Sequence, residues 1–246
     1  MRDTADRGDV LLWAAGSLVL PLEKARCDLA AGGIRLALQC GPSGTLRQRI
    51  EGGARPDIFL SAARAHIDRL VLRGLGQVPR RFCGNRIVAL LGPSVPRDRP
   101  FLDLLLAEGV TLATSTPLAD PSGDYAWSIF DKAETLRPGA REALKRKVRL
   151  LAGGPGAPSA PEGTHHYGWI VTEGLADVFL TYASSARQAV ALYPELTMLE
   201  PPPELAIAAE FWGLRLGAPG ALCETVWEYI HSGRFAQHLA ETGFEM

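Results

Sequence analysis

The chain has 246 residues, of which 47% are hydrophobic and 22% charged, and its formal net charge is −1. This balance suits a globular protein with enough length for one large domain or two small ones. It lacks the clustered basic excess that a nucleic-acid-binding surface needs.

Residues 11–20 (LLWAAGSLVL) form a short apolar run near the start, like the middle of a signal peptide. The preceding segment carries Asp3, Asp6 and Asp9, whereas a leader begins with net positive charge. The run is also too short to span a bilayer. It reads as a buried first strand, residues 10–14, turning into a helix over 18–31 that stops at Gly32 and Gly33. No leader is expected in the chain itself. Strand and helix then alternate: strand 34–39, helix 45–51, strand 57–60 and helix 63–72. A second series follows, with strand 87–91, helix 101–107, strand 110–114 and helices 123–135 and 140–151. The Gly- and Pro-rich stretch 153–163 has to be a loop. Beyond it come helix 167–173, strand 177–181, strands around Pro201 to Pro203, and helices 221–230 and 234–241. Alternation of this kind predicts α/β architecture, with mostly parallel sheets flanked by helices. No internal repeat is apparent.

Cys27, Cys40, Cys83 and Cys223 lie far apart, without a C-x-x-C pair or metal-ligand spacing. They are expected to be free thiols serving as small apolar core residues. His66, His165, His166, His231 and His238 show no H-E-x-x-H or other metal spacing, and residues 41–44 (GPSG) lack the G-x-S-x-G of a nucleophile elbow. Binding is therefore favoured over catalysis, and no cofactor is expected.

Three segments put a small hydroxyl residue where a helix begins after a strand: Ser17, Ser43 and Ser122. Each could simply cap its helix. Each also offers unpaired backbone N–H groups, a favourable dipole end and a hydroxyl donor, which together suit an anion. All three fall at the carboxyl ends of predicted strands, where open α/β sheets bind ligands.

The sequence resembles the molybdate-binding proteins of ABC transporters in residues 14–18 (AAGSL), 41–46 (GPSGTL), 55–62 (RPDIFLSA), 84–86 (GNR), 120–126 (DPSGDYA) and 174–182 (GLADVFLTY). It continues to 242–244 (TGF), so that it covers nearly the whole chain. The resemblance implies a two-lobed periplasmic-binding-protein fold of type II. Lobe one would be discontinuous, residues 1–84 and 187–246, and lobe two would be 85–186, with crossovers near Asn85 and Ser185. It implies a molybdate or tungstate oxyanion held in the cleft between lobes by uncharged donors. Carried over by position, these are the hydroxyls of Ser17 and Ser43, the backbone of Ser122, the backbone of Thr164 and the phenol of Tyr182. It further implies a periplasmic monomer that serves a membrane permease of an ABC transporter. Another small anion or organic acid, or a cytoplasmic ligand-sensing module of the same fold, are the alternatives. The loop 153–163 departs from the family pattern and leads into His165 and His166, which read as surface residues at a helix start.

Overall fold

The structure, a computed structural model, describes residues 9–217 and 220–246. The chain divides into two units: residues 1–84 with 210–246, and residues 85–209. The second boundary differs from the sequence expectation. Residues 187–209 belong to the second unit rather than the first, because a helix (α8, Ala183–Leu192) and a short strand (β8, Thr197–Leu199) complete it. The chain passes between units within β4 (Arg80–Leu91) and within β9 (Ala208–Arg215).

In the first unit the sheet order is β2 (Arg35–Gly41), β1 (Asp9–Ala15), β3 (Ile58–Ser61), β9. The first three strands are parallel and β9 runs antiparallel to β3. Continuous apolar runs such as IFL in β3 are buried on both faces, as a covered sheet requires. One face carries Trp13, Phe59 and Leu214. These pack with Leu46 and Ile50 of α2 (Ser43–Glu51) and with Ile67 and Leu70 of α3 (Arg64–Leu72). The first helix, α1 (Val19–Ala31), contacts α10 (Gly233–Glu241), and α9 (Ala221–Ile230) contacts β1.

The second unit is built around β4, β7 (Val178–Tyr182), β5 (Leu112–Ser115) and β6 (Arg149–Ala152), with β8 on β4. Strands β5, β6 and β7 are parallel, whereas β4 is antiparallel to both β7 and β8. The core of one face joins Val88, Leu90, Ala113 and Phe179 to Ile170 and Val171 of α7 (His166–Thr172) and to Ala186 and Ala189 of α8. The remaining helices are α4 (Phe101–Leu106), α5 (Pro121–Leu136) and α6 (Ala140–Lys147).

Although the sequence shows no repeat, both units use one device. Asp57, just before β3, accepts the Leu11 N–H of β1 at 2.8 Å; Asp177, just before β7, accepts the Thr111 N–H before β5 at 2.7 Å. Each carboxylate fixes the register of a parallel pair where the ladder would otherwise leave a donor open. The cysteines are free, but only Cys83 and Cys223 are core residues; Cys40 is half-buried and Cys27 exposed.

Candidate functional site

In the first unit, β1 and β2 run in register to Ala15 and Gly41, so their carboxyl ends share one edge. Beyond that edge the chain turns into a 3₁₀ turn, Gly16–Leu18, and into α2. Ser17 and Ser43 therefore stand two residues past neighbouring strand ends. Neither caps its helix, since the N-cap positions are Ala15 and Pro42. The Ser17 Oγ is buried without a hydrogen-bond partner among the described residues. Ser43 is 1% exposed, and its Oγ accepts the N–H of Ala62 at 3.2 Å. That bond uses a lone pair and leaves the hydroxyl proton available to an anion. The first N–H groups of α2 likewise have no acceptor within the helix.

In the second unit, β5 and β7 are parallel, pairing Thr114 with Leu180, so Ser115 and Tyr182 end on one edge. Helix α5 begins beside them. Gly123 is required there, because a Cβ would lie 2.3 Å from the Ser115 carbonyl oxygen. Ser122, at the second position of α5, is fully buried, and its Oγ has no partner among the described residues. The Tyr125 ring of α5 meets Tyr182 edge-on at 6.3 Å. Tyr182 is 3% exposed, and burial pushes its phenol well above the ordinary value, so it stays protonated as a donor. The second unit thus brings the predicted Ser122 and Tyr182 together.

Two predicted backbone donors are already engaged. The Ser122 N–H goes to Asp120 Oδ1 at 3.1 Å, because Asp120 is the N-cap of α5 with Pro121 in its first turn. The sequence pattern D-P-S carried that signal, and weighing Ser122 as the cap overlooked it. Thr164 is exposed; its N–H and its hydroxyl both go to the Pro161 carbonyl, at 3.2 and 2.7 Å. His165 is half-buried rather than a surface residue. It caps α7, its Nδ1 accepting the Gly168 N–H at 3.2 Å, and burial pulls its pKa down to about 4. Burial also lowers that of His166. His165 is therefore neutral at pH 7 and adds no positive charge.

Sequence reasoning also missed Asp120 itself. Burial raises its pKa, opposed first by the hydrogen bond from the Ser122 N–H and then by the nearby Ser115 side chain. Burial likewise raises Asp124, which accepts the Leu118 N–H at 2.9 Å. Leu118 has a φ of 67°, a left-handed backbone that branched residues adopt at a cost, and the Asp124 bond holds this turn in front of α5. Among the described residues, no group of three or more His, Cys, Asp or Glu is arranged to hold a metal ion.

Comparison with known proteins follows the same lines. The family model of the bacterial extracellular solute-binding proteins matches residues 10–245. An uncharacterised protein of Pasteurella multocida (strain Pm70) is 33% identical over 182 residues, 72% of this chain and 74% of its own. Among solved structures, the periplasmic molybdate-binding protein of Azotobacter vinelandii superposes with a TM-score of 0.77 at 16% identity, covering 96% of this chain and 99% of that one. The sulfate-binding protein SubI of Mycobacterium tuberculosis H37Rv gives 0.79 at 17% identity, over 96% and 86%. At these identities the structures establish the fold alone: the α/β fold of the type II periplasmic binding proteins.

Proposed function

The chain belongs to the bacterial extracellular solute-binding proteins, and from that premise we propose that it is the ligand-binding component of an ABC importer for a tetrahedral oxyanion, molybdate or tungstate. The observation that carries this reading is the state of the hydroxyls at the strand ends. Buried Ser17 and Ser122 oxygens lack partners among the described residues, and Ser43 keeps its proton to donate. A buried hydroxyl without a partner is costly to fold and is retained where a ligand completes it. We assign Ser17 and Ser43 of the first unit and Ser122 and Tyr182 of the second as the donors to one anion, Ser122 through its hydroxyl. Thr164 joins them through its backbone only if the turn at Pro161 opens.

A fully ionised oxyanion offers acceptors only, so uncharged donors and helix N-termini suit it without a cationic residue. The protein performs no catalysis on its ligand in this reading. It acts as a periplasmic monomer and delivers the anion to a membrane permease. A thermal-shift panel tests the assignment. A ligand at a hundredfold excess over Kd stabilises the folded state by about 2.7 kcal/mol, which is several degrees for a protein of about this size. Molybdate and tungstate should produce that rise and sulfate a smaller one. No rise with any of the three rejects a fully ionised oxyanion as the ligand.

A further inference from the structure

Asp120 puts a carboxylate at the N–H where an anion was expected. Its Oδ1 lies 3.1 Å from the Ser122 nitrogen. It has little room to retreat, because Gly153 packs so closely on its Cβ that a Cβ there would sit 2.6 Å away. The buried Ser122 hydroxyl, without a partner among the described residues, marks the same helix start as unfinished. The groups that act on Asp120 or respond to it are Asp124 of its own helix, Ser115 of β5, Tyr167 of α7 and Tyr182 of β7.

An ionised Asp120 would set a like charge at the helix start that is to receive a fully ionised oxyanion. For charges about 4 Å apart in a medium of effective dielectric about 20, such repulsion weakens binding by roughly a thousandfold per unit of anion charge. One proton between them replaces repulsion with a charge-assisted hydrogen bond. Resting on the oxyanion reading above, we infer that Asp120 shares one proton with the bound anion and so sets which anions the site accepts. Molybdate, tungstate or sulfate enters with a proton taken from solvent, which ends on the Asp120 carboxyl. An anion that carries its own hydroxyl, such as hydrogen phosphate, donates that proton to the Asp120 carboxylate and needs none from solvent. Burial, which favours the neutral acid, assists the first case.

The test is calorimetric titration of the full chain with molybdate, in buffers of different ionisation enthalpy, from about pH 6 to pH 8. Wild type should take up close to one proton per molybdate wherever free Asp120 is ionised, and its affinity should fall about tenfold per pH unit there. Hydrogen phosphate at about pH 8 should bind with little net uptake. Asp120→Asn keeps an N-cap and should remove both the uptake and the slope with molybdate; Asp120→Ser provides a second capped variant. Molybdate binding without proton uptake, with the same pH profile in wild type and Asp120→Asn, overturns the inference while leaving the oxyanion reading intact. No binding of any oxyanion by wild type overturns both.

Discussion

Replacing Ser17 with alanine should weaken the ligand and leave the empty protein as stable as before, or slightly more so. The Ser17 Oγ is buried with no hydrogen-bond partner among the described residues. Such a group costs about 1–3 kcal/mol in the folded state, and alanine removes it. Against a charged acceptor the lost donor should cost about 1.5–3 kcal/mol of binding, about one to two decades in Kd. Ser43→Ala provides the contrast. It too removes a donor, but it also deletes the acceptor that the buried Ala62 N–H now reaches at 3.2 Å. Its ligand-free form should therefore melt lower, by roughly 2–4 °C for each kcal/mol lost in a protein of about this size. Calorimetric melts without ligand and titrations with molybdate measure both quantities. If Ser17→Ala lowers the ligand-free melt as much as Ser43→Ala, the Ser17 hydroxyl is structurally engaged. If it binds molybdate like wild type, Ser17 is not at the ligand.

His66 should make the protein acid-sensitive. It is 7% exposed, and burial first, then Arg47 and Arg69, pull its pKa down to about 4. Between about pH 6.5 and pH 4 the unfolded chain binds a proton that the folded one refuses, so this share of stability is full above pH 6.5 and lost on acidification. The loss approaches about 3 kcal/mol, and His66→Phe should flatten melting temperature against pH over that window. Gly123→Ala should destabilise the second unit by about 1–3 kcal/mol or more, because the new Cβ meets a backbone oxygen at 2.3 Å. Gly109→Ala, where nothing lies within 4 Å, should melt like wild type.

What could be read from the sequence was whatever local chemistry decides. Glycines past helix ends and continuous apolar runs placed β1, β3 and β7 to within a residue or two. The expected helix 140–151 actually ends at Lys147, and Arg149–Ala152 becomes β6. The apolar residues 150 and 151 fit either period, and only pairing with β5 decides between them. The polyproline segment near Pro202 is not a strand, since proline has no N–H to give a ladder. Strands β8 and β9 flank it instead. Helix α8 went unread, though Ala183, Ala186 and Ala189 bury one face at helical spacing. For the hydroxyls expected to meet a ligand, the sequence showed their positions past the strand ends but not their bonding. Ser43 and Ser122 look alike in sequence, yet one accepts an N–H from another loop and the other sits behind an aspartate that takes its own.

The bonding around Asp28 has a consequence for how the chain is made. Asp28 of α1 accepts Tyr229 Oη and Arg234 Nε at 2.7 Å, and His238 Nε2 lies 2.9 Å away. These partners come from the final two helices, and Arg234 follows Asp28 by 206 residues. At about 5–20 residues per second of synthesis, the nascent α1 waits roughly 10–40 s for them. The second unit, one continuous stretch that ends at residue 209, is complete only about 1–5 s before Arg234 is added. The Asp28 side of α1 is thus completed only when α10 is made, and α10 is a closing piece of the first unit rather than a dispensable tail.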